Sequence, residues 1–302
     1  MCGIVGLLIK NPSLRSSLGE LMVPMLIGMS QRGSDSAGLA VFTDALPDNQ
    51  RKYSLYSGSI HTGDHFHWSE LAQAFQTHFS TTSDLQIHGN QAVLTAAIAP
   101  KAVKQWLQER YPQIHLLSTG RAIDLYKDTG NPAAVSDRYH FKDLQGSHLV
   151  GHTRMATESA VTPAHAHPFT AGEDFCLVHN GSLSNPYEIR RKLEHHGIHF
   201  ETDNDTEAAC RFLEWRMQEG DDLEAAIQKG FEALDGFYTF LMGTADKLAL
   251  VRDAFACKPA VVAETDDYVA IASEFRSLAH LPHINHAQIY EPAPEEIYVW
   301  TV

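Results

Sequence analysis

The beginning of the chain constrains the fold more than any other segment. Cys2 and Gly3 are followed at once by the apolar stretch IVGLLI at residues 4–9. A short, continuous apolar run rich in β-branched and aliphatic residues is typical of a strand that is buried on both faces. The sequence therefore predicts that residues 2–9 form an interior strand with a cysteine at its first position.

Cys2 itself combines two reactive groups once the initiator methionine is removed. Methionine aminopeptidase cleaves before small residues, and cysteine is small enough. A free α-amine titrates near pH ~7.7–8 and a thiol near ~8.5, so one residue would hold a nucleophile and its own general base. The alternative is that Cys2 is a small hydrophobe buried in the core, as many free cysteines are.

The composition is that of an ordinary globular protein. The 302 residues are 44% hydrophobic and 20% charged, and the net charge of −14 disfavours nucleic acids and anionic membranes as partners. The four cysteines are too few and too far apart for a disulfide scaffold or a CxxC metal clip. No apolar run approaches the ~18–20 residues of a membrane span. We therefore expect a cytoplasmic protein with neither a membrane nor a nucleic acid as partner.

Hydrophobic periodicity predicts helices and strands in separate runs. The predicted helices cover residues 13–29, 66–79, 101–110, 186–196, 205–218 and 222–234, with a further short one after Pro132. The predicted strands cover residues 2–9, 39–42, 51–57, 92–98, 114–118, 121–127, 147–153, 174–179, 237–243, 247–252, 260–264, 268–272, 286–290 and 296–302. Paired helices between runs of strands predict an α+β layered sandwich, in a single domain over residues 1–302.

Three later segments carry side chains that suit one reaction together with Cys2. Arg154 ends a predicted strand, where its guanidinium can hold a carboxylate in a bidentate fork. Asn180 and Gly181 form a predicted turn, in which a side-chain amide and a backbone N–H would both face a developing oxyanion. Asp205 stands at a predicted helix start, where a carboxylate either holds a substrate ammonium or caps the helix.

Together these groups fit a free α-amino acid with a side-chain amide, which means glutamine or, with less support, asparagine. A peptide or an acyl-amino acid is the alternative substrate. Either would lack one of the two charges that Arg154 and Asp205 are placed to bind.

The chain resembles the class II glutamine amidotransferases, which are of the N-terminal-nucleophile hydrolase type. The resemblance rests on segments in the family's order: MCGIVG at 1–6, QRGSDSAG at 31–38, GHTRMAT at 151–157, AHPF at 166–169, HNG at 179–181 and DNDTE at 203–207. It implies a four-layer αββα sandwich that hydrolyses L-glutamine to glutamate and ammonia.

The resemblance also implies a role for each matching residue. Cys2 would be the nucleophile, with its α-amine as the proton shuttle, and Asn180 and Gly181 would form the oxyanion hole. Arg154 would bind the glutamine carboxylate and Asp205 its amino group. The remaining implied residues are Thr157, which would line the glutamine pocket, and the supporting residues Arg32, Gly33, His152, His167 and His179.

Some features depart from the family pattern. Glu158 and Ser159 stand where many relatives have His-Gly, and Met155 stands where several have Trp. These changes concern the loop that closes on glutamine. The segment at about 60–145 is longer than in the simplest relatives, so we expect it to be an insert.

A finer resemblance is to the stand-alone amidotransferase subunits of split glutamate synthases, including N-methylglutamate synthase. The segments STGRAI at 118–123 and GHTRMATESAVT at 151–162 carry it. It implies that ammonia passes to a partner synthase subunit holding FMN and iron–sulfur clusters, while this chain holds no cofactor. The alternative is a catalytically silent subunit that regulates or positions such a synthase.

The 18 histidines raise the question of a metal site. His61, His65 and His67 lie close together, and a second group is formed by His195, His196 and His199. No cysteine or carboxylate stands at a recognisable ligand spacing from either group. We therefore expect no bound metal.

Overall fold

The computed structural model describes residues 2–58, 66–155 and 161–302. The strands are β1 (Gly3–Ile9), β2 (Ser36–Phe42), β3 (Arg51–Tyr56), β4 (Ser83–His88), β5 (Gln91–Ala96), β6 (His115–Gly120), β7 (Ile123–Thr129), β8 (His148–Arg154), β9 (Phe169–Thr170), β10 (Cys176–Leu183), β11 (Gly236–Gly243), β12 (Lys247–Arg252), β13 (Val261–Glu264), β14 (Tyr268–Ala272), β15 (Gln288–Tyr290) and β16 (Ile297–Thr301). The helices are α1 (Leu18–Gly28), α2 (Trp68–Phe79), α3 (Pro100–Arg110), α4 (Pro132–Arg138), α5 (Pro186–His195), α6 (Asp205–Gln218) and α7 (Leu223–Ala233). Within the described ranges, no helix combines the length and the apolar character needed to cross a lipid bilayer.

The predicted interior strand is confirmed by β1. This strand lies within a seven-stranded sheet of order β15-β13-β14-β1-β8-β2-β7, and all of its residues are buried. It pairs antiparallel with β14 on one side and with β8 on the other. Because Gly3 is paired with Thr153, the chain start lies beside the last residues of β8.

A five-stranded sheet of order β16-β12-β11-β10-β9 packs face to face on the larger sheet. Their shared core contains Ile4, Phe42 and Val150 from the larger sheet, with Val178 and Leu241 from the smaller one. Helices α1 and α4 cover the outer face of the larger sheet, and α5, α6 and α7 cover the outer face of the smaller one. This αββα order confirms the predicted four-layer α+β sandwich.

Strands β4-β5-β3-β6 form a separate four-stranded sheet with its own core against α2 and α3. Tyr53, Phe75 and Trp106 are among the residues of this core. The next strand in the chain, β7, belongs to the seven-stranded sheet. The small unit therefore spans residues 51–120, and the insert at about 60–145 stays a prediction.

Some local predictions are wrong. The predicted helix at 13–29 starts later, because residues 12–17 form a 3-10 turn that is capped by Asn11, whose Oδ1 accepts the N–H of Ser13. Strand β4 is not predicted, because it is an edge strand in which only Leu85 and Ile87 of six residues are apolar. The predicted turn at residues 180–181 is part of β10, which runs on to Leu183.

One carboxylate joins the four-stranded sheet to the sandwich. Asp174 lies between β9 and β10 with a left-handed φ of +54°. Its Oδ2 accepts the N–H of Arg121 at 2.8 Å, and its Oδ1 accepts the N–H groups of Ala122 and Ile123 at 2.8 and 3.0 Å. These amides connect β6 to β7, so Asp174 holds the junction between the two units.

We predict that Asp174→Ala lowers the free energy of unfolding by about 3 kcal/mol, because three amides lose a charged acceptor and alanine is strained at positive φ. Asp174→Asn should lose less, since its side-chain oxygen still accepts and asparagine tolerates this conformation. Urea denaturation of the three proteins measures both losses. Equal stability of wild type and Asp174→Ala, or a larger loss in Asp174→Asn, would contradict this assignment.

Candidate active site

Cys2 is held at the start of β1 by two side chains from distant parts of the chain. Its backbone carbonyl accepts a hydrogen bond from Arg32 Nε at 2.8 Å and another from Asn180 Nδ2 at 3.3 Å. The thiol is free, and the residue is partly exposed. The cysteine is therefore fixed through its backbone while its side chain stays accessible.

The turn after α1 supports this position. Arg32 is buried, and its Nη1 also donates to Glu274 Oε1 at 2.9 Å. At Gly33, an added Cβ would lie 2.5 Å from the carbonyl carbon of Thr153 and 2.6 Å from the nitrogen of Arg154. Because glycine has no side chain, the backbone of this turn can pack directly against the backbone at the end of β8.

Arg154 is the last residue of β8 and is buried. In the sheet it pairs with Ser36 of β2, and its carbonyl accepts the N–H of Asp35 at 3.0 Å. Since Thr153 faces Gly3 across the ladder, Arg154 is one residue further along, at the level of Cys2. Thr157 lies outside the described residues.

Asn180 and Gly181 lie in β10, opposite Thr239 and Tyr238 of β11. The N–H and carbonyl of Tyr238 are both engaged with Asp253, so the Gly181–Tyr238 pair is a non-hydrogen-bonded one. The N–H of Gly181 therefore lies on the side of β10 that faces away from β11. Gly181 has φ +152°, and a Cβ there would collide with the carbonyl of Phe237.

Asp205 stands on that same side of β10. Its Oδ2 accepts the N–H of Leu183 at 3.0 Å, and its Oδ1 lies 3.7 Å from His179 Nδ1. Burial raises the pKa of this carboxyl, but the nearby His179 imidazole and the N–H groups of Leu183 and Thr206 outweigh burial and lower the pKa to about 2. The carboxylate is ionised at neutral pH, and 25% of its side chain remains exposed.

Three buried histidines pack behind Asp205. The rings of His152 and His167 stack with centroids 4.1 Å apart, and His152 Nε2 donates to the carbonyl of His179 at 3.0 Å. Burial lowers the pKa of His152 to about 3 and that of His167 well below its ordinary value. These two rings are therefore neutral at physiological pH.

Thr206 connects the histidines to Asp205, and the sequence motifs give it no role. Its Oγ1 lies 2.9 Å from His167 Nε2 and 3.1 Å from His179 Nδ1. The same hydroxyl donates to Asp205 Oδ1 at 3.4 Å, and its oxygen can accept from the ring nitrogens. Its position inside the segment DNDTE is the signal that could have drawn attention to it.

The arrangement offers a complete set of groups for acyl transfer from an amide. A thiol, an amide donor, a backbone N–H, a buried arginine and an ionised carboxylate come from β1, β8, β10 and the start of α6. Of the predicted site residues that the structure describes, Arg32 and Asn180 both contact the carbonyl of Cys2, and Gly181 and His179 adjoin Asn180 in β10. Within the described residues no group of three His, Cys, Asp or Glu side chains could hold a metal ion, and His61 and His65 lie outside them.

Comparison with known proteins agrees with this chemistry. Residues 152–280 match the family model of the glutamine amidotransferase domain. Over 301 residues, 99% of this chain and 98% of its relative, the sequence is 44% identical to glutamine amidotransferase-like protein GlxB of Rhizobium meliloti. The chain belongs to the class II glutamine amidotransferase family. Its fold is therefore that of an N-terminal-nucleophile amidotransferase.

More distant relatives match over parts of longer proteins. Over 95 residues, the chain is 37% identical to glutamine–fructose-6-phosphate aminotransferase (isomerizing) of Shewanella oneidensis, covering 32% of this chain and 16% of that protein. The solved glutamine phosphoribosylpyrophosphate amidotransferase from B. subtilis, complexed with ADP and GMP, aligns with a TM-score of 0.61 at 18% identity. The alignment covers 99% of this amidotransferase chain and 47% of that structure, and it shows a shared fold.

We predict that Asp205→Asn lowers the free energy of unfolding by about 2 kcal/mol at pH 7, from the depression of the carboxyl pKa. A carboxyl whose pKa is lower in the folded than in the unfolded protein stabilises the fold. This contribution is complete above the pKa of the unfolded state and is lost as pH falls towards 2. The difference from wild type should therefore shrink to about half at pH 3.

Urea denaturation at pH 7, 4 and 3 provides the measurement, with exposed Asp266→Asn as the matched control. The control should change stability little at any of these pH values. An Asp205→Asn difference that does not vary with pH would show that the carboxylate is not held in its charged form by these contacts.

Proposed function

We propose that this protein hydrolyses L-glutamine to glutamate and ammonia through a thioester on Cys2. The observation that carries the proposal is the pair of hydrogen bonds from Arg32 and Asn180 to the carbonyl of Cys2. Through these bonds the backbone of the residue that carries the thiol is held next to the amide that would stabilise the oxyanion. The family membership of the chain supports a glutamine-hydrolysing reaction of this kind.

The first step uses both reactive groups of Cys2. After removal of Met1, the free α-amine takes the thiol proton, and the sulfur attacks the side-chain amide carbon of glutamine. The oxyanion that forms accepts hydrogen bonds from Asn180 Nδ2 and the N–H of Gly181. Collapse breaks the C–N bond, and the α-ammonium returns its proton to the leaving nitrogen, which departs as ammonia.

The second step regenerates the thiol. The α-amine takes a proton from a water molecule, which attacks the thioester carbon within the same oxyanion hole. Collapse releases glutamate and the sulfur recovers its proton. The active site thus needs no group beyond those of this chain.

Substrate choice rests on the two charges around the thiol. Arg154 would bind the α-carboxylate of glutamine in a bidentate fork, and Asp205 would bind its α-ammonium. The N–H groups of Gly181 and Leu183 lie two residues apart on one side of β10, a span of about 7 Å. Because Leu183 holds Asp205, the oxyanion site and the ammonium site are fixed relative to each other. Thr157 is proposed to line the same pocket.

We further propose that residues 1–302 form a single amidotransferase domain and that the ammonia passes to a partner synthase subunit of glutamate-synthase or N-methylglutamate-synthase type. FMN and iron–sulfur clusters would belong to that partner.

Two exposed aromatic side chains support association with a partner. Phe237, opposite Ser182 in the β10–β11 ladder, is 41% exposed, and Phe255 is 79% exposed.

The hydrolysis step predicts complete loss of ammonia release in Cys2→Ala, without unfolding, because no other group replaces the nucleophile. Diazo-oxo-norleucine should add once to the wild-type chain that has lost Met1, as intact mass measures. Cys257→Ala, which removes an exposed thiol, is the matched control and should keep both the adduct and the activity.

Glutamine that is blocked at its amino or carboxyl group should not be hydrolysed, since it lacks one of the two bound charges. Activity in Cys2→Ala would show that the nucleophile is misassigned. A correctly processed chain without adduct or ammonia release, even with its partner present, would favour the catalytically silent subunit instead.

The partner proposal predicts that Phe255→Asp weakens co-elution with a co-expressed glutamate-synthase-like subunit, because it places a charge in the apolar contact. Size-exclusion chromatography with mass analysis measures this. Ile87→Asp, at a position that is 54% exposed in the four-stranded sheet, is the control and should leave co-elution unchanged. Failure of the wild-type chain to co-elute would remove the support for this partner.

A further inference from the structure

A cavity of about 640 Å³ lies between the four-stranded sheet and the sandwich. His115 and Ser118 of β6 line one wall, and Phe169, Thr202 and Arg211 line the other. Its volume is in the range of small-molecule sites, which combine apolar walls with a few placed polar groups. Cys2, Arg154, Asn180 and Asp205 are not among its lining residues, so this space is separate from the glutamine site.

The cavity contains a buried cation with an unused donor. Lys127 of β7 lines the cavity, and only 5% of the residue is exposed. An ammonium group has three donors, and within the described structure Nζ uses two of them, on the carbonyls of Ala166 at 2.8 Å and Pro168 at 3.3 Å. The ammonium also lies 4.8 Å from the centroid of the Phe169 ring, on the cavity wall. A bound acceptor in the cavity would satisfy the third.

The acidic residues of the wall are already neutralised. Glu207 accepts hydrogen bonds from the N–H groups of Glu201 and Thr202 and from Arg211 Nε, all within 2.8 Å. Glu201 pairs with Lys104 at 2.9 Å. Lys101, which also lines the cavity, makes no ion pair with any residue that the structure describes. The wall therefore keeps an excess of positive charge in a chain whose net charge is −14.

The start of α3 adds to this positive character. This 11-residue helix contributes Pro100, Lys101 and Lys104 to the lining, and no side chain caps its first turn. The first turn also holds no acidic residue. Pro100 has no N–H, and the N–H of Ala102 donates to the carbonyl of Ala99 at 3.0 Å, so the N–H of Lys101 is the donor that this helix start offers. The partial positive charge at a helix start favours an anion there.

We propose that this cavity binds a small anionic molecule through a carboxylate or phosphate group. Lys101, Lys127 and the start of α3 would contact that group. The occupant would touch two segments that lead to the glutamine site. Lys127 holds the backbone on either side of His167, whose ring bonds to Thr206, the neighbour of Asp205. Thr202 lies in the turn that precedes Asp205. Binding would therefore alter how firmly Asp205 is placed.

Isothermal titration of the processed full-length chain with inorganic phosphate and with succinate tests the site, with neutral succinamide as the ligand control. Wild type should bind at least one of the two anions and should not bind succinamide. The anion that binds more tightly shows whether the cavity recognises a phosphate or a carboxylate. Lys101→Glu should weaken binding by about tenfold or more, because it reverses a charge at the receptor. Lys142→Glu makes the same change in net charge away from the cavity and should stay within about twofold of wild type.

Ala164→Trp, which fills the cavity from its rim without changing charge, should also abolish binding. No binding of either anion, or equal losses in Lys101→Glu and Lys142→Glu, would overturn the proposed site. The effect on Asp205 rests on the proposed function and is tested by a separate measurement, the KM for glutamine. A saturating anion should shift the KM for glutamine in wild type but not in Lys101→Glu, and an unchanged KM would overturn the coupling.

Discussion

The active-site geometry depends on the backbone carbonyl of Cys2, which accepts hydrogen bonds from two directions. Arg32 follows α1 and belongs to the layers around the seven-stranded sheet, whereas Asn180 lies in the five-stranded sheet. Both bonds can form only when the two sheets are stacked in their final register. Cys2 thus acquires its position from the packed sandwich core, since a chain end has no ordering of its own.

The neutral histidines behind Asp205 follow from the same packing. Full burial disfavours the charged imidazole, and nearby Arg154 and Lys127 add repulsion, so His152 and His167 stay uncharged. Under the proposed function, a protonated ring at this place would compete with the substrate ammonium for Asp205. A neutral His167 can bond to Thr206 at the start of α6, and a neutral His152 to the carbonyl of His179, without this competition.

The sequence predicts the residues of the candidate site better than the local structure and contacts around them. The apolar run after Cys2 predicts a central strand, and the bounds of α6 at residues 205–218 are those of the sequence pattern. Asn180 and Gly181 are misplaced in a turn, because glycine at positive φ is as compatible with an irregular strand as with a turn. Lys127 carries no local signal, and Thr206 carries only its position inside DNDTE, since their partners are ring nitrogens and carbonyls brought close only by folding.

The first turn of α6 shows why the order of its residues matters. Successive side chains on a helix point about 100° apart. Asp205 therefore faces β10 and the proposed glutamine site, Thr206 faces the histidines, and Glu207 turns to the cavity wall, where it holds the turn at residues 201–202. Each of these three residues makes its contact in a different direction, so a rotation of the helix about its axis would disturb all three contacts at once. In the proposed coupling, a ligand in the cavity would act on Asp205 through this turn, because Glu207 lies on the cavity wall two residues after Asp205.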